Sequence, residues 1–400
     1  MIARAAPVAV TGMGCVSAAG LTLAENLASL DAGFRAPQPP TLFHTEKPVP
    51  VFTAAIPPFE NFPPLPDASA LVEFSRTVRL AAHAAGEALA DAGLDPATLP
   101  GMRVGICIGS SVGPALDFYD YYAENRSGKA ASLDAIHRYR RSNPSLALAR
   151  LLDADGPAQT VANACSSGAD AIGLGAEWIR RGLCDVALCG GADALAQVIY
   201  YGFSSLQLLS PDPCLPFDRG RAGLNLGEGA GIFVLESETR LKGKAPRGFV
   251  LGYGTCTDAW HLTAPHPEAR GLISALDQAL VQAGASEADI AFINAHGTAT
   301  PTNDAAEGKF FKARFPGTPF VATKGCTGHT LGAAGGVEAV FTLAHLNRGS
   351  LPASPGFTEP DPEIGVSPVS FPTEVAGKIA MSQSLAFGGN NSVLLLGGGE

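Results

Sequence analysis

CSSGADAIGLG (residues 165–175) and CTGHTLGAAGG (residues 326–336) decide the architecture of this 400-residue chain. Each follows a strand-like apolar run and opens a helix rich in Gly, Ala and other small residues. Each helix ends near an Arg-Gly pair, Arg181-Gly182 or Arg348-Gly349, and leads into another strand. Residues this small let helices lie deep between sheets. The echo predicts an α/β protein made of two similar halves that arose by duplication. Between them SETRLKGKAPRG (237–248) is charged and broken by Gly and Pro, and GFVLGYGT (248–255) restarts the strand pattern. The expected halves are residues 1–245 and 246–400.

Composition fits that reading and excludes others. The chain is 46% hydrophobic and 16% charged, against about 25% charged in an ordinary soluble domain, which rules out disorder. The net charge of −10 argues against nucleic acid or an anionic membrane as a bulk partner, since basic surface holds both. Eight cysteines without a CxxC pair read as reduced thiols and not as a zinc site, so no metal is expected. The first twenty residues lack a clean apolar core for a targeting segment. No apolar run approaches the roughly 20 residues a membrane span needs. The expectation is a cytoplasmic protein.

Along the chain, PVAVT (7–11) predicts a short strand ending at Gly12, then a turn and a helix near 21–32. GMG (12–14) invites a dinucleotide reading, but the third glycine of that pattern would fall on Ser17 and no acidic residue follows at the required distance. Residues 36–66 carry ten prolines and cannot be helical. Phe43, Phe52, Phe59 and Phe62 within them suggest a loop pinned to the body. Helical spacing runs from Ser69 to Ala92, and RVGICIG (103–109) returns to strand.

The chemistry gathers at strand ends. Cys165, in VANACSSGADAIG, stands where a strand gives way to a helix. The helix dipole there favours a thiolate by roughly 0.3–2 kcal/mol. Taken alone it is as readily a buried core cysteine. His296, in NAHGTATPTNDAAE (294–307), and the pair Lys324 and His329, in ATKGCTGHTLGAAGGVE (322–338), occupy two further strand ends, where an α/β fold assembles its site. FGGNN (387–391) offers backbone N–H groups to an oxyanion.

With these motifs in their order, together with VTGMG, DPCLPFDRGRAGLNLGEGAG (212–231) and TDAWHLTAPHP (257–267), the chain closely resembles the β-ketoacyl-acyl-carrier-protein synthases of the thiolase superfamily. The resemblance runs from end to end and is nearest to the type II elongating enzymes. It implies a thiolase-like αβαβα five-layer fold and a homodimer, or a heterodimer with a related subunit. It also implies decarboxylative Claisen condensation of an acyl group with malonyl carried on acyl carrier protein, with no cofactor beyond the carrier's phosphopantetheine. On this resemblance Cys165 is the acylated nucleophile, His296 and His329 are the paired histidines, and Lys324 sits beside them. Thr298 and Thr300 hold the phosphopantetheine arm. The backbone N–H groups of Cys165 and Phe387 form the oxyanion hole, and the Phe387 ring gates the acyl pocket. Asp304, Glu307 and Glu338 match supporting positions, although Asp304 and Glu307 read equally well as helix-surface carboxylates.

Departures from the pattern concern specificity. Asn163 replaces a common Thr, and SLAFGGNN stands where relatives read SFGFGGTN, placing Leu385 and Ala386 near the acyl pocket. Val112 falls at the pocket wall. The helix start at 69–77 lacks the lysines with which relatives grip their carrier, leaving Arg126, Lys129 and Arg219 as candidate docking residues. Primary fatty-acid elongation and a dedicated polyketide or polyene line use the same catalytic set. A non-catalytic chain-length subunit usually lacks the nucleophile that is intact here. A coenzyme A thiolase is disfavoured by the two-histidine pattern.

Overall fold

The structure, a computed structural model, describes residues 4–399 except residues 59, 60, 64 and 67; the anchoring expected of Phe59 lies outside the described residues. The N-terminal half supplies β1 (Val8–Ser17), β2 (Val104–Gly109), β3 (Ala158–Val161), β4 (Val186–Asp193) and β5 (Gly229–Glu236). The C-terminal half supplies β6 (Gly248–Thr257), β7 (Ile290–Asn294) and β8 (Phe320–Val321). A small ladder of β9 (Ser350–Leu351) with β10 (Thr373–Glu374) precedes β11 (Ile379–Leu385) and β12 (Asn390–Gly398). The main sheet has ten strands in the order β3-β2-β4-β5-β1-β6-β12-β11-β7-β8. Read outward from the β1/β6 junction, each half repeats one order: its first, fifth, fourth, second and third strand. The duplication seen in two glycine-rich helices is thus a duplication of topology. Pairing of Val8, Ala9 and Val10 with Val250, Phe249 and Gly248 joins the two expected sheets into a continuous one.

Side-chain alternation along the strands builds the layers. In β4, Val186 and Leu188 enter one apolar core while Ala187 and Cys189 enter another. In β12, Val393 and Leu395 face an outer core while Leu394 and Leu396 face the central one. In chain order the helices are α1 (Leu23–Asp31), α2 (Arg76–Ala92), α3 (Ala115–Arg126), α4 (Asp134–Arg141), α5 (Pro144–Leu151) and α6 (Ser167–Arg180). The rest are α7 (Gln197–Ser205), α8 (Glu238–Leu241), α9 (Arg270–Ala283), α10 (Pro301–Arg314), α11 (Lys324–Thr327) and α12 (Ala334–Arg348). The first outer core packs α2 and α5 on the sheet, the second packs α9 and α10, and α6 and α12 fill the middle. The result is the five-layer thiolase-like arrangement.

Glycine sets how closely α6 and α12 cross. A Cβ on Gly168 would lie 2.6 Å from the Gly336 nitrogen, and one on Gly336 would lie 2.4 Å from the Gly191 nitrogen on β4. Real Cβ atoms do not approach that closely, so backbone meets backbone at this crossing.

Two local expectations change. GMG does not end a strand: β1 runs through it to Ser17. Cβ atoms on Gly12 and Gly14 would come within 2.0 Å of the Ala88 and Ala84 carbonyl oxygens, so these glycines admit α2 onto the strand. The helix expected from Ser69 begins as a 3₁₀ turn, Ala68–Glu73. The α-helix starts at Arg76, where the Ser75 side chain accepts from the Val78 N–H, a normal N-cap. The proline-rich stretch is pinned as expected. Phe52 is buried, Gln38 pairs with Val51, and Tyr200 Oη accepts the Val49 N–H at 2.6 Å. Among the described residues no helix is long and apolar enough to cross a membrane.

Candidate active site

Cys165 sits on a sharp elbow between β3 and α6. Ala164 there has φ of 48°, a left-handed conformation that costs a non-glycine residue about 1–2 kcal/mol. The strain points Cys165 inward two residues ahead of α6, and it is 5% exposed. His296 follows β7 by two residues. Its backbone N–H and that of Gly297 both donate to Glu307, each at 2.7 Å. Glu307 also accepts from Asn303 and Gln383, each at 2.6 Å. Asp304 accepts the N–H groups of Phe217 at 2.7 Å and Ala299 at 3.2 Å. Both carboxylates are fully buried, so the helix-surface alternative is wrong. They face back from α10 and hold the loop that carries His296. Burial pushes Glu307 up to about 7 and Asp304 up to about 6, against the pull of these donors.

His329 enters from the other side, on the link between α11 and α12. Its N–H donates to the Asn225 carbonyl and its own carbonyl accepts from Gly227. Its Nε2 lies 3.1 Å from Cys165 Sγ. Its Nδ1 accepts the Leu331 N–H at 3.2 Å, which leaves the ring proton on Nε2. The His296 ring stands nearly perpendicular to it at a centroid distance of 5.2 Å. Lys324 Nζ donates to the His296 carbonyl at 2.6 Å and approaches His296 Nδ1 at 3.1 Å. It is ion-paired with Glu338. An ammonium is a donor only, so His296 Nδ1 accepts and its proton also sits on Nε2. Burial lowers both imidazole pKa values well below the usual range, and the Lys324 charge lowers them further. The site therefore presents two neutral rings, each with an N–H donor.

For Cys165 burial is the largest influence and pushes the thiol up to about 11. Lys324 and the backbone of Phe387 pull it down. The helix-terminus bias expected from sequence is outweighed by desolvation, and the resting group is a thiol. The ligand atoms of Cys165, His296 and His329 lie within 4.8 Å of one another. Such compactness also suits a soft metal, but the Lys324 ammonium against one ring adapts the trio to hydrogen-bond a negative oxygen.

A narrow cavity opens onto Cys165 between His296, His329, Thr298, Thr300, Leu385 and Phe387. The Thr298 and Thr300 hydroxyls lie 2.9 Å apart. The free space is about 40 Å³, against the ~300–1,000 Å³ of a pocket holding a whole ligand. The ring of Phe387 stacks on Phe203 from α7, with centroids 5.2 Å apart and planes 20° apart. Val112 does not line this cavity. It packs with Tyr200 and Phe203 in an apolar cluster that Phe387 also touches. Phe203 carries no local sequence signal and was not expected. Asp193 was likewise missed; it accepts from the N–H groups of Ser111 at 2.8 Å, Val112 at 3.0 Å and Gly332 at 2.7 Å, tying the two halves together behind the site.

Of the candidate docking cations, Arg126 and Lys129 are exposed at and just beyond the end of α3, and the Arg126 guanidinium lies 5.9 Å from the Tyr122 ring centroid. Arg219 is ion-paired with Glu359 at 2.8 Å, so its charge is already answered.

The sequence matches the family descriptions "Beta-ketoacyl synthase, N-terminal domain" over residues 5–240 and "Beta-ketoacyl synthase, C-terminal domain" over residues 247–358. It is 34% identical over 338 residues to 3-oxoacyl-[acyl-carrier-protein] synthase 2 of Staphylococcus aureus, covering 80% of this chain and 83% of that one. It is also 34% identical over 353 residues to the tetracenomycin polyketide synthase ketoacyl synthase alpha subunit of Streptomyces glaucescens, with 81% of each covered. Among solved structures, the ishigamide ketosynthase/chain length factor superposes with a TM-score of 0.91 at 33% identity, over 99% of this chain and 100% of that one.

Proposed function

The chain belongs to the beta-ketoacyl synthase family, an acyl-transferring condensing enzyme, and from that premise we propose a role for each group of the site. Cys165 takes the acyl group. Its sulfur attacks the acyl thioester on a carrier protein, the thioester C–S bond breaks, and the Cys165 proton ends on the carrier thiol. The Phe387 N–H, on the turn that lines the cavity with Cys165, stabilises the oxyanion of the tetrahedral intermediate. Malonyl-carrier then enters along Thr298 and Thr300, which hold the phosphopantetheine arm. Its carboxylate leaves as CO₂, and the electron pair passes to an enolate whose oxygen accepts from Nε2–H of His296 and His329. The enolate carbon attacks the acyl carbon on Cys165. The Cys165 sulfur leaves and takes up a proton, and 3-oxoacyl-carrier is released. No redox equivalent is needed.

The observation that carries this reading is the tautomer pair. Leu331 and Lys324 hold both imidazoles as neutral Nε2–H donors, with that of His329 3.1 Å from the Cys165 sulfur. Charge-stabilising donors preorganised in a water-poor site are where catalytic gain is largest. Lys324 and Glu338 orient His296, and Glu307 and Asp304 hold the loop beneath it. Eight unpaired cysteines suit a reducing cytoplasm, and we read the enzyme as a dimer that meets acyl carrier protein through Arg126 and Lys129.

The proposed pathway is acyl elongation in fatty acid biosynthesis. A dedicated polyketide or polyene line, with a chain-length-factor partner, is the second reading, favoured by the end-to-end likeness to the ishigamide ketosynthase/chain length factor. One experiment tests both: condensation on fatty-acid and pathway-specific carriers with acyl groups of several lengths, read by intact-protein mass. Turnover by the chain alone on a fatty-acid carrier supports elongation. Turnover only after adding a chain-length partner supports the second reading. Acyl mass on a cysteine other than Cys165 overturns the site assignment.

A further inference from the structure

Two side-chain amides join segments 227 residues apart beside the nucleophile. Asn163, two residues before Cys165, donates from Nδ2 to Asp170 Oδ2 at 2.6 Å. Its Oδ1 accepts from Asn390 Nδ2 at 2.5 Å. Asn390 in turn accepts at Oδ1 from the Thr257 hydroxyl at 2.8 Å. The direction of this chain is set at one end. Asp170 also accepts from Ser166 and Tyr253, each at 2.8 Å, and from Ser392. A carboxylate surrounded by donors accepts only, so Asn163 must turn its nitrogen toward it and its oxygen toward Asn390. Asn390 must then donate.

The far end is the turn that carries Phe387. The Ala386 N–H donates to the Asn390 carbonyl at 2.7 Å, and between them Gly388 and Gly389 have φ of 83° and 80°. A turn with two adjacent glycines is intrinsically loose, yet it carries Phe387, which lines the same narrow cavity as Cys165. We propose that Asn163 and Asn390 form a directional amide latch that holds the 386–390 turn on the nucleophile elbow and so fixes the Phe387 N–H for acyl transfer. Both are positioning residues, and the proposal rests on the acylation role given above to Cys165 and Phe387.

The direction of the latch supplies its test. Asn390→Asp keeps the shape but replaces the donor with an acceptor. It then opposes Asn163 Oδ1, and if Asn163 turned over its oxygen would oppose Asp170. Asn390→Ala only removes the link. Asn163→Ala combined with Asn390→Asp removes the opposed oxygen. The readout is the rate at which an acyl thioester acylates Cys165, followed by intact mass, with thermal melting in parallel. A misplacement of about 1 Å costs up to roughly 10²-fold. We expect Asn390→Asp to acylate about 10- to 100-fold more slowly at unchanged KM, with Asn390→Ala losing less. The double variant should recover toward the Asn163→Ala rate. Should Asn390→Asp not fold, the two alanine variants and their double carry the test: the double should be no slower than the slower single. Wild-type acylation in Asn390→Asp, or losses that simply multiply in the doubles, would overturn the latch. If wild type itself is not acylated at Cys165, the reading beneath it falls and the latch with it.

Discussion

Removing Lys324 separates its two duties. The ammonium neutralises Glu338 in a fully buried ion pair and fixes the His296 tautomer. Lys324→Met leaves Glu338 without a partner, and breaking one side of a buried pair typically costs about 3–5 kcal/mol. That is a large share of the roughly 5–15 kcal/mol that holds a domain folded. Burial already raises the Glu338 pKa, and Lys324 is the group that pulls it down. Losing the lysine lets the carboxyl take a proton near neutral pH, which limits the cost. The double variant Lys324→Met/Glu338→Leu replaces the pair with apolar volume, and such exchanges are often neutral. It should regain most of the denaturation midpoint lost by the single variant. Decarboxylation should not recover, because His296 Nδ1 then has no donor to hold the Nε2–H tautomer. Loss of one oxyanion-type donor costs about 10²–10³ in rate. The assays are urea denaturation and CO₂ release from malonyl-carrier on the same preparations. A double variant that regains both stability and decarboxylation would show that Lys324 is structural alone and that the tautomer argument is wrong.

Three further expectations follow from the same geometry. Cys165→Ala should lose all acyl transfer yet keep its fold and malonyl decarboxylation, and a parallel loss of decarboxylation would mean that the thiol shapes the histidine pair. Because His296 and His329 are held neutral, decarboxylation per folded molecule should stay flat from about pH 8 to about pH 6, across the ordinary imidazole pKa of ~6.5. Protonation acts on the fold instead: below that value each unfolded imidazole binds a proton that the buried one refuses, a histidine contribution of about 1.4 kcal/mol lost per pH unit. Glu307 and Asp304, with raised values of about 7 and about 6, bind protons first in the folded state and offset the two histidines one for one below about pH 6, and an imidazole titrating at ~6.5 by NMR would contradict neutral rings. Finally, Arg126→Glu and Lys129→Glu should lower kcat/KM for carrier-bound substrate while sparing a simple thioester. Arg219→Glu should do neither, since Glu359 already answers that charge, and equal losses on both substrates in all three would place docking elsewhere.

The reacting groups were legible because each lies in a contiguous motif at a strand end. Cys165, His296 and the pair Lys324 and His329 come from three such ends, and the duplicated topology brings them together. What stayed hidden depends on contacts with no local signature. Phe203 stacks on Phe387 from a helix with an ordinary sequence, and it lines the cavity where Val112 was expected. Asp304 and Glu307 looked like surface carboxylates because a helical spacing alone does not tell which face is buried. GMG was misplaced at a strand end because a glycine that admits a packed helix and a glycine that makes a turn look alike in sequence. Burial likewise reversed the expected state of Cys165, since desolvation is a property of the assembled site.

The glycine crossing of α6 and α12 bears on how such an enzyme can change. Cys165 precedes one of these helices and His329 precedes the other, and their spacing is set where Gly168, Gly191 and Gly336 bring three backbones together. No side chain takes part there, so no conservative exchange is open at those positions, and a change at one cannot be rescued by trimming a neighbour. The outer cores and the apolar cluster around Phe203 and Val112 are, by contrast, built of side chains that can be exchanged. New acyl preferences can therefore accumulate in that cluster while the distance between sulfur and imidazole stays fixed, so that this fold's substrate range can evolve independently of its chemistry.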